Sequence, residues 1–190
     1  MTNAMSRLEM SRTEISFVVG LDPVSPVLPP MRAAGFAHRF AVVQHTSRPG
    51  AADMYFDAHL WRALLAFAEG LGADGGVVTI AQGKRELAVA EFLRAWDAED
   101  AAERGPPDAI VVRRDDAMIA YIATEPWVNV GGPAPYHDSY TYAVFTHEDI
   151  GARLMAFLAA RADAAGWDLA DEVMTAPVRK PRSLLQKLFE

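Results

Sequence analysis

Apolar residues in this chain follow two periods, every second position in short runs and every third or fourth in longer ones, and the two kinds of run are interleaved. Thr13 to Val19 is rich in β-branched and aromatic residues and predicts a strand, stopped by Gly20 and by Pro23, Pro26, Pro29 and Pro30. Phe36 to Val43 predicts a second strand, with Phe36, His38, Phe40 and Val42 on one face and Ala37, Arg39, Ala41 and Val43 on the other. Leu60, Leu64, Phe67, Ala68 and Leu71 recur at helical spacing and predict a helix over Met54 to Leu71, with Gly72 at its exit. Val77 to Ala81 reads as a short buried strand. A helix from Lys84 to Arg104 follows, with Leu87, Ala90, Leu93, Ala95 and Trp96 inward, ending before Gly105, Pro106 and Pro107.

Ala109 to Val112 and Ala117 to Thr124 predict two strands separated by the polar, hairpin-sized gap Arg113, Arg114, Asp115 and Asp116. The second places Met118, Ala120 and Ile122 on one side and Ile119, Tyr121 and Ala123 on the other, so both faces are at least partly covered. After a loop from Glu125 to Asp138, Ser139 to Phe145 alternates again, Tyr140, Tyr142 and Val144 against Thr141, Ala143 and Phe145. Thr146 is the expected cap of the next helix, with Glu148 and Asp149 in its first turn, Ile150, Leu154, Phe157 and Leu158 inward, and Gly166 at its close. Asp171 to Thr175 reads as a last strand. The expected fold is therefore a single α+β domain over residues 13–176, a mixed, mostly antiparallel sheet with three main helices packed on it. Residues 1–12 are expected to be disordered, and 177–190 to form a basic tail or short helix whose Leu184, Leu188 and Phe189 pack back onto the domain.

Leu64, Leu65, Ala66, Phe67 and Gly76 are echoed at one constant spacing by Leu154, Met155, Ala156, Phe157 and Gly166. Duplication of a strand-strand-helix unit would produce this echo. The sequence reading favours the plainer account, that two helices built from Ala and Leu resemble each other.

At 190 residues and 51% hydrophobic content the chain can bury one substantial core. Its net charge of -7 speaks against a nucleic-acid binder, which needs clustered Lys and Arg to displace counterions, and suits solubility or a cationic protein partner. Zero cysteines remove disulfides, thiolate catalysis and Cys-based zinc sites, which fits a reducing cytoplasm. Neither a signal-peptide core nor the roughly 20 unbroken apolar residues of a membrane span is found.

The chemistry-bearing motifs fail one by one. His38, His45, His59, His137 and His147 include no pair at the spacing of a helical metal site, and no Ser sits in a G-x-S-x-G elbow. Gly76 and Gly83-Lys84 are too far apart for a phosphate-binding loop, and Arg85 stands where Ser or Thr would bind magnesium. No cofactor and no metal are expected, and a non-catalytic role is preferred over an enzyme. The remaining cluster is the loop of Glu125, Trp127, Tyr136, His137 and Asp138, continued by Tyr140. His137 is a candidate general base with Tyr136 or Tyr140 as acid, but adjacent residues of an extended chain point apart, so His137 and Asp138 are not a dyad by sequence. The plainer reading makes the loop a connection with solvated turn residues. Asp115, Asp116, Glu125, Trp127, Tyr136, His137, Asp138 and Tyr140 are the candidate partner-binding residues.

From Trp127 through Phe157, a Gly/Pro loop, the strand Tyr136-His137-Asp138-Ser139-Tyr140-Thr141-Tyr142 and the helix start Thr146-His147-Glu148-Asp149 resemble the corresponding part of bacterial immunity proteins that neutralise polymorphic toxins. The resemblance covers about thirty residues and carries no diagnostic motif. It implies an acidic, cytoplasmic, non-catalytic α+β domain that binds a basic toxin domain and blocks its active site. No family residue is transferred by it. The alternatives are a small enzyme or small-molecule-binding domain with its pocket at residues 125–142, and a structural or secretion-accessory subunit. A homodimer is compatible with each.

Overall fold

The computed structural model describes residues 13–20, 35–46, 57–98, 106–125 and 139–175. In chain order they form β1 (Thr13–Val19), β2 (His38–Thr46), α1 (Ala58–Gly72), β3 (Val77–Gln82), β4 (Arg85–Ala88), α2 (Val89–Ala98), β5 (Ala109–Arg114), β6 (Ala117–Glu125), β7 (Ser139–Thr146), α3 (Gly151–Ala165) and β8 (Trp167–Thr175). The strands make one sheet in the order β4-β3-β5-β6-β7-β2-β1-β8. Every neighbouring pair is antiparallel except β1 and β8, which are parallel. The predicted α+β class, mixed sheet and three helices are all present.

One sheet face carries the main core. Ile15, Phe17, Phe40, Val42, Ile80, Ile110, Val112, Ile122, Tyr142 and Val144 meet Leu60, Trp61, Leu64 and Phe67 of α1, Phe92 and Trp96 of α2, and Leu154 and Leu158 of α3. Trp96 is a core residue, as expected, and so is Trp61, with ring centroids 4.6 Å apart in an edge-on contact. The opposite face holds a second buried group of Val18, Phe36, Ala41, Val43, Ala123, Ala143 and Phe145. The central strands are thus apolar on both faces.

Several expectations are corrected. The helix expected from Lys84 opens instead as the β3-β4 hairpin, because Gly83, at φ 61°, turns the chain and lets Gln82 pair with Arg85. Glu86 fixes that hairpin by accepting from Thr79 and Arg113, and the helix begins only at Val89. Phe36 lies before β2 and packs on the face opposite Phe40. On β6 the register shifts between the partners of Val112 and Arg113, so Met118 leaves the side shared by Ala120 and Ile122. Thr146 does not cap α3. Its hydroxyl accepts from the Glu148 amide in the preceding turn, and Ile150 occupies the cap position without a side-chain bond. Gly166 closes α3 in the left-handed conformation, as expected, and β8 starts at once, earlier than the sequence suggested. The tail from residue 177 lies outside the described residues.

Asp57 caps α1. It is 4% exposed, and its carboxylate is saturated: Oδ1 accepts from the His59 and Leu60 amides, and Oδ2 from the Thr13 hydroxyl at 2.9 Å and the Trp167 indole N–H at 3.0 Å. The Asp57 amide in turn donates to the Gln44 side chain. A single buried carboxylate therefore ties the first turn of α1 to β1, β2 and β8, and the positive end of the helix dipole favours its charge.

The echo between the two helices is architectural. β1-β2-α1-β3 and β6-β7-α3-β8 are each an antiparallel strand pair followed by a helical crossover to a strand parallel to the second member. The central pair β2 and β7 relates them by an approximate two-fold axis normal to the sheet. Phe40-Ala41-Val42-Val43 matches Tyr142-Ala143-Val144-Phe145, and Ala41 pairs directly with its counterpart Ala143. Ile15, Phe17 and Val18 correspond to Ala120, Ile122 and Ala123, each on the same sheet face as its counterpart. The echoed Phe67 and Phe157 touch each other edge to face at 5.3 Å, as equivalent residues beside a two-fold axis do. β4, α2 and β5 are an insertion into the first unit's side of the sheet. The chance explanation of the echo is set aside on these grounds.

Asp57→Ala is expected to cost about 2–4 kcal/mol in urea unfolding, since it removes the cap and strands the buried Trp167 donor. A loss within about 0.5 kcal/mol would contradict the hub. In a double-mutant cycle, Phe67→Ala and Phe157→Ala are expected to couple by about 0.5–1.5 kcal/mol, and strict additivity would show that the ring pair contributes nothing of its own.

Candidate functional site

Of the candidate residues read from the sequence, Asp115, Asp116, Glu125 and Tyr140 lie among the described residues, and they fall at two ends of the sheet. Asp115 and Asp116 make the two-residue β5-β6 turn, exposed and both at positive φ, 48° and 63°, the backbone of a type I′ hairpin. Glu125 ends β6 at the opposite end of the sheet, about 26 Å away at strand rise, where its backbone pairs with Thr141. Tyr140 is the second residue of β7, at that same end, and pairs with Gln44. Trp127, Tyr136, His137 and Asp138 lie outside the described residues. The acidic turn is therefore separate from Glu125 and Tyr140, whose backbones lie at one end of the sheet on the neighbouring strands β6 and β7.

Strand register gathers other polar residues at the Glu125 and Tyr140 end. On the face away from the helices, Asp168, Glu14 and His45 are consecutive partners across β8, β1 and β2, and the backbone of His45 pairs with that of Ser139 on β7. Ser16, Val43, Thr141 and Glu125 form the next row. Between these rows the His45 Nε2 and the Ser16 Oγ lie 3.2 Å apart. Alternation explains the placement: Ala41, Val43 and His45 share one side of β2, as Glu14, Ser16 and Val18 share one side of β1. Ser16 and Thr141 are buried, His45 is half-buried and Glu14 is exposed.

Burial pushes His45 below its ordinary pKa of 6.5, opposed by the nearby negative charge of Glu14. The imidazole is therefore neutral at pH 7, with one ring nitrogen able to take a proton. Opposite Ser16 the parallel ladder is interrupted, for Ile15 pairs with Leu169 and Phe17 with Val173, leaving Ala170, Asp171 and Glu172 facing Ser16 alone. His45 and Ser16 are 29 positions apart, and neither lies in a motif, so no local signal joined them.

Among the described residues no group of three or more His, Asp or Glu side chains is placed to hold a metal ion, and no helix is long and apolar enough to cross a membrane. Comparison of the chain with protein-family models, with curated proteins and with solved structures found no match.

His45 makes a pH prediction whose sign is fixed by its depressed pKa. The unfolded chain takes up a proton near pH 6.5, where the native state still holds the ring neutral. Its contribution to stability is complete above that pH and is lost as the pH falls through the lower folded value. His45→Gln is expected to flatten the corresponding part of a urea-midpoint profile between about pH 7 and pH 5. An identical profile for the variant and the parent would refute the assignment.

Proposed function

We propose that this chain is a protein-binding domain of the immunity type, an inhibitor that engages a basic toxin domain and blocks its active site. The observation that carries the reading is the surface along β8 and the end of β1. Val173 and Val19, 45% and 39% exposed, lie on one face of this edge and Met174, 41% exposed, on the other, and the exposed carboxylates of Asp171 and Glu172 precede them on the last strand of the sheet. Exposed apolar side chains rimmed by charge of one sign suit a partner with an apolar anchor in a basic surround. The net charge of -7 acts in the same direction by speeding encounter with a cationic surface. The resemblance over residues 127–157 supplies the toxin as the class of partner.

A second reading, a small enzyme or ligand-binding domain at residues 125–142, is favoured by the His45 and Ser16 contact at that end of the sheet. A small molecule that raises the melting temperature, where no protein does, would select it.

The test is affinity purification of the tagged chain from its own host at low and moderate salt, followed by mass spectrometry. The captured protein is then titrated against wild type and against Asp171→Lys/Glu172→Lys. A stoichiometric basic protein with a toxin domain is expected, its activity inhibited by the wild type and its affinity reduced at least about tenfold by the charge reversal. A chain that returns alone under both salt conditions would count against the reading, as would a partner indifferent to the reversal.

A further inference from the structure

The contact between His45 and Ser16 is more specific than packing requires. The approximate two-fold axis provides a control within the molecule: Tyr121 occupies in the second unit the place of Ser16 in the first, on the same face, packed against the apolar group of Val43 and Phe145. His147 stands where His45 does and stacks on Phe36, with centroids 4.8 Å apart. The backbone architecture is thus compatible with a large ring at the Ser16 position. The first unit has instead a small hydroxyl within hydrogen-bond distance of an imidazole.

Two further features bear on this pair. Glu14 is the direct cross-strand neighbour of His45, so a negative charge stands beside any imidazolium that forms there. The interruption of the β1-β8 ladder also falls opposite Ser16, on the last strand of the sheet, where Asp171 and Glu172 are exposed. Bulges of this kind occur beside active sites, where they redirect side chains and open a ladder.

We propose that Ser16 is an activated nucleophile with His45 as its general base, and that the site accepts the acyl group of small carboxylic esters. Ser16 is 5% exposed, so the reactive carbonyl must belong to a slender substrate approaching along the bulge. Glu14 and Asp168 are cross-strand neighbours on the sheet face that carries Ser16, and their negative charge selects neutral or cationic esters over anionic ones. In the first step Ser16 Oγ bonds to the carbonyl carbon as its proton passes to His45 Nε2. The bond from carbon to the alcohol oxygen then breaks, and the same proton leaves with the alcohol. Water, deprotonated by His45, cleaves the serine ester, releasing a carboxylic acid and restoring Ser16. No electron acceptor or donor is needed. The docking edge and the nucleophile meet at the interruption of the β1-β8 ladder, so they are told apart by the variant that leaves the other in place: Ser16→Ala removes the hydroxyl and keeps the carboxylates of Asp171 and Glu172.

The full chain is treated with a fluorophosphonate probe, which a serine nucleophile displaces at phosphorus with loss of fluoride, and is then read by intact mass and peptide mapping. One adduct on Ser16 is expected in the wild type, none on Ser16→Ala, and labelling at least about 100-fold slower on His45→Gln. The labelling rate should fall on acidification as His45 takes up its proton. The charged groups facing His45 are Glu14 on β1 and Asp168 beside it on β8, so Glu14→Gln should move that midpoint to lower pH. Folded wild-type protein that acquires no adduct overturns the proposal without recourse to any variant. An adduct at a residue other than Ser16 also overturns it, as does a folded His45→Gln chain that labels at the wild-type rate.

Discussion

The four hydrogen bonds accepted by Asp57 are the constraint on which the rest of the fold depends. A buried carboxylate is tolerated only when its lone pairs are filled, and here they are filled from positions 13, 59, 60 and 167. The first strand, the first helix and the last strand are thereby fixed relative to one another at one point. That point lies under the same end of the sheet as Glu14, Ser16 and His45, on the opposite face. Rigidity on the helix side therefore supports the geometry of the polar group on the other side, because β1 and β2 carry both.

Most of the fold was legible because its elements are locally consistent. Thr13 to Val19, the hairpin about Asp115 and Asp116, and the alternation from Ser139 to Phe145 each carry their own pattern and turn chemistry, and each appears where the pattern puts it. Two of the misreadings share one cause, that a local signal fits two structures. Leu87 fits a helical stripe with Trp96 and fits equally the inward side of a short strand, and only pairing with Ile80 decides between them. Thr146 has the composition of a helix cap, yet its backbone is retained by the β7 ladder to Ala120 and His38, which delays the helix to Gly151.

The candidate site was far less legible, and for a different reason. Asp115 and Asp116 were grouped with Glu125 by charge and by nearness along the chain, and a nine-residue strand carries them to opposite ends of the sheet. Conversely, Glu14, Ser16, His45 and Asp168 are scattered along the sequence and meet only through two strand registers and a bulge. Register is a long-range property. The internal two-fold shows the same lesson: five echoed residues were too few to separate ancestry from composition, whereas the pairing of Ala41 with Ala143 and the contact of Phe67 with Phe157 relate the units in space.

The position of β8 in the sheet has a consequence for how the chain is made. β1 is laid down first, but its parallel neighbour and the indole that completes the bonding of Asp57 come from the last described strand. A nascent chain therefore holds an incompletely bonded carboxylate and an open edge on β1 until residue 175 has left the ribosome. Such long separations slow folding and leave an unpaired strand exposed for the duration of synthesis. The domain is for this reason completed after translation of its second unit, and a ribosome paused between α2 and β8 would present β1 to any neighbouring chain able to pair with it.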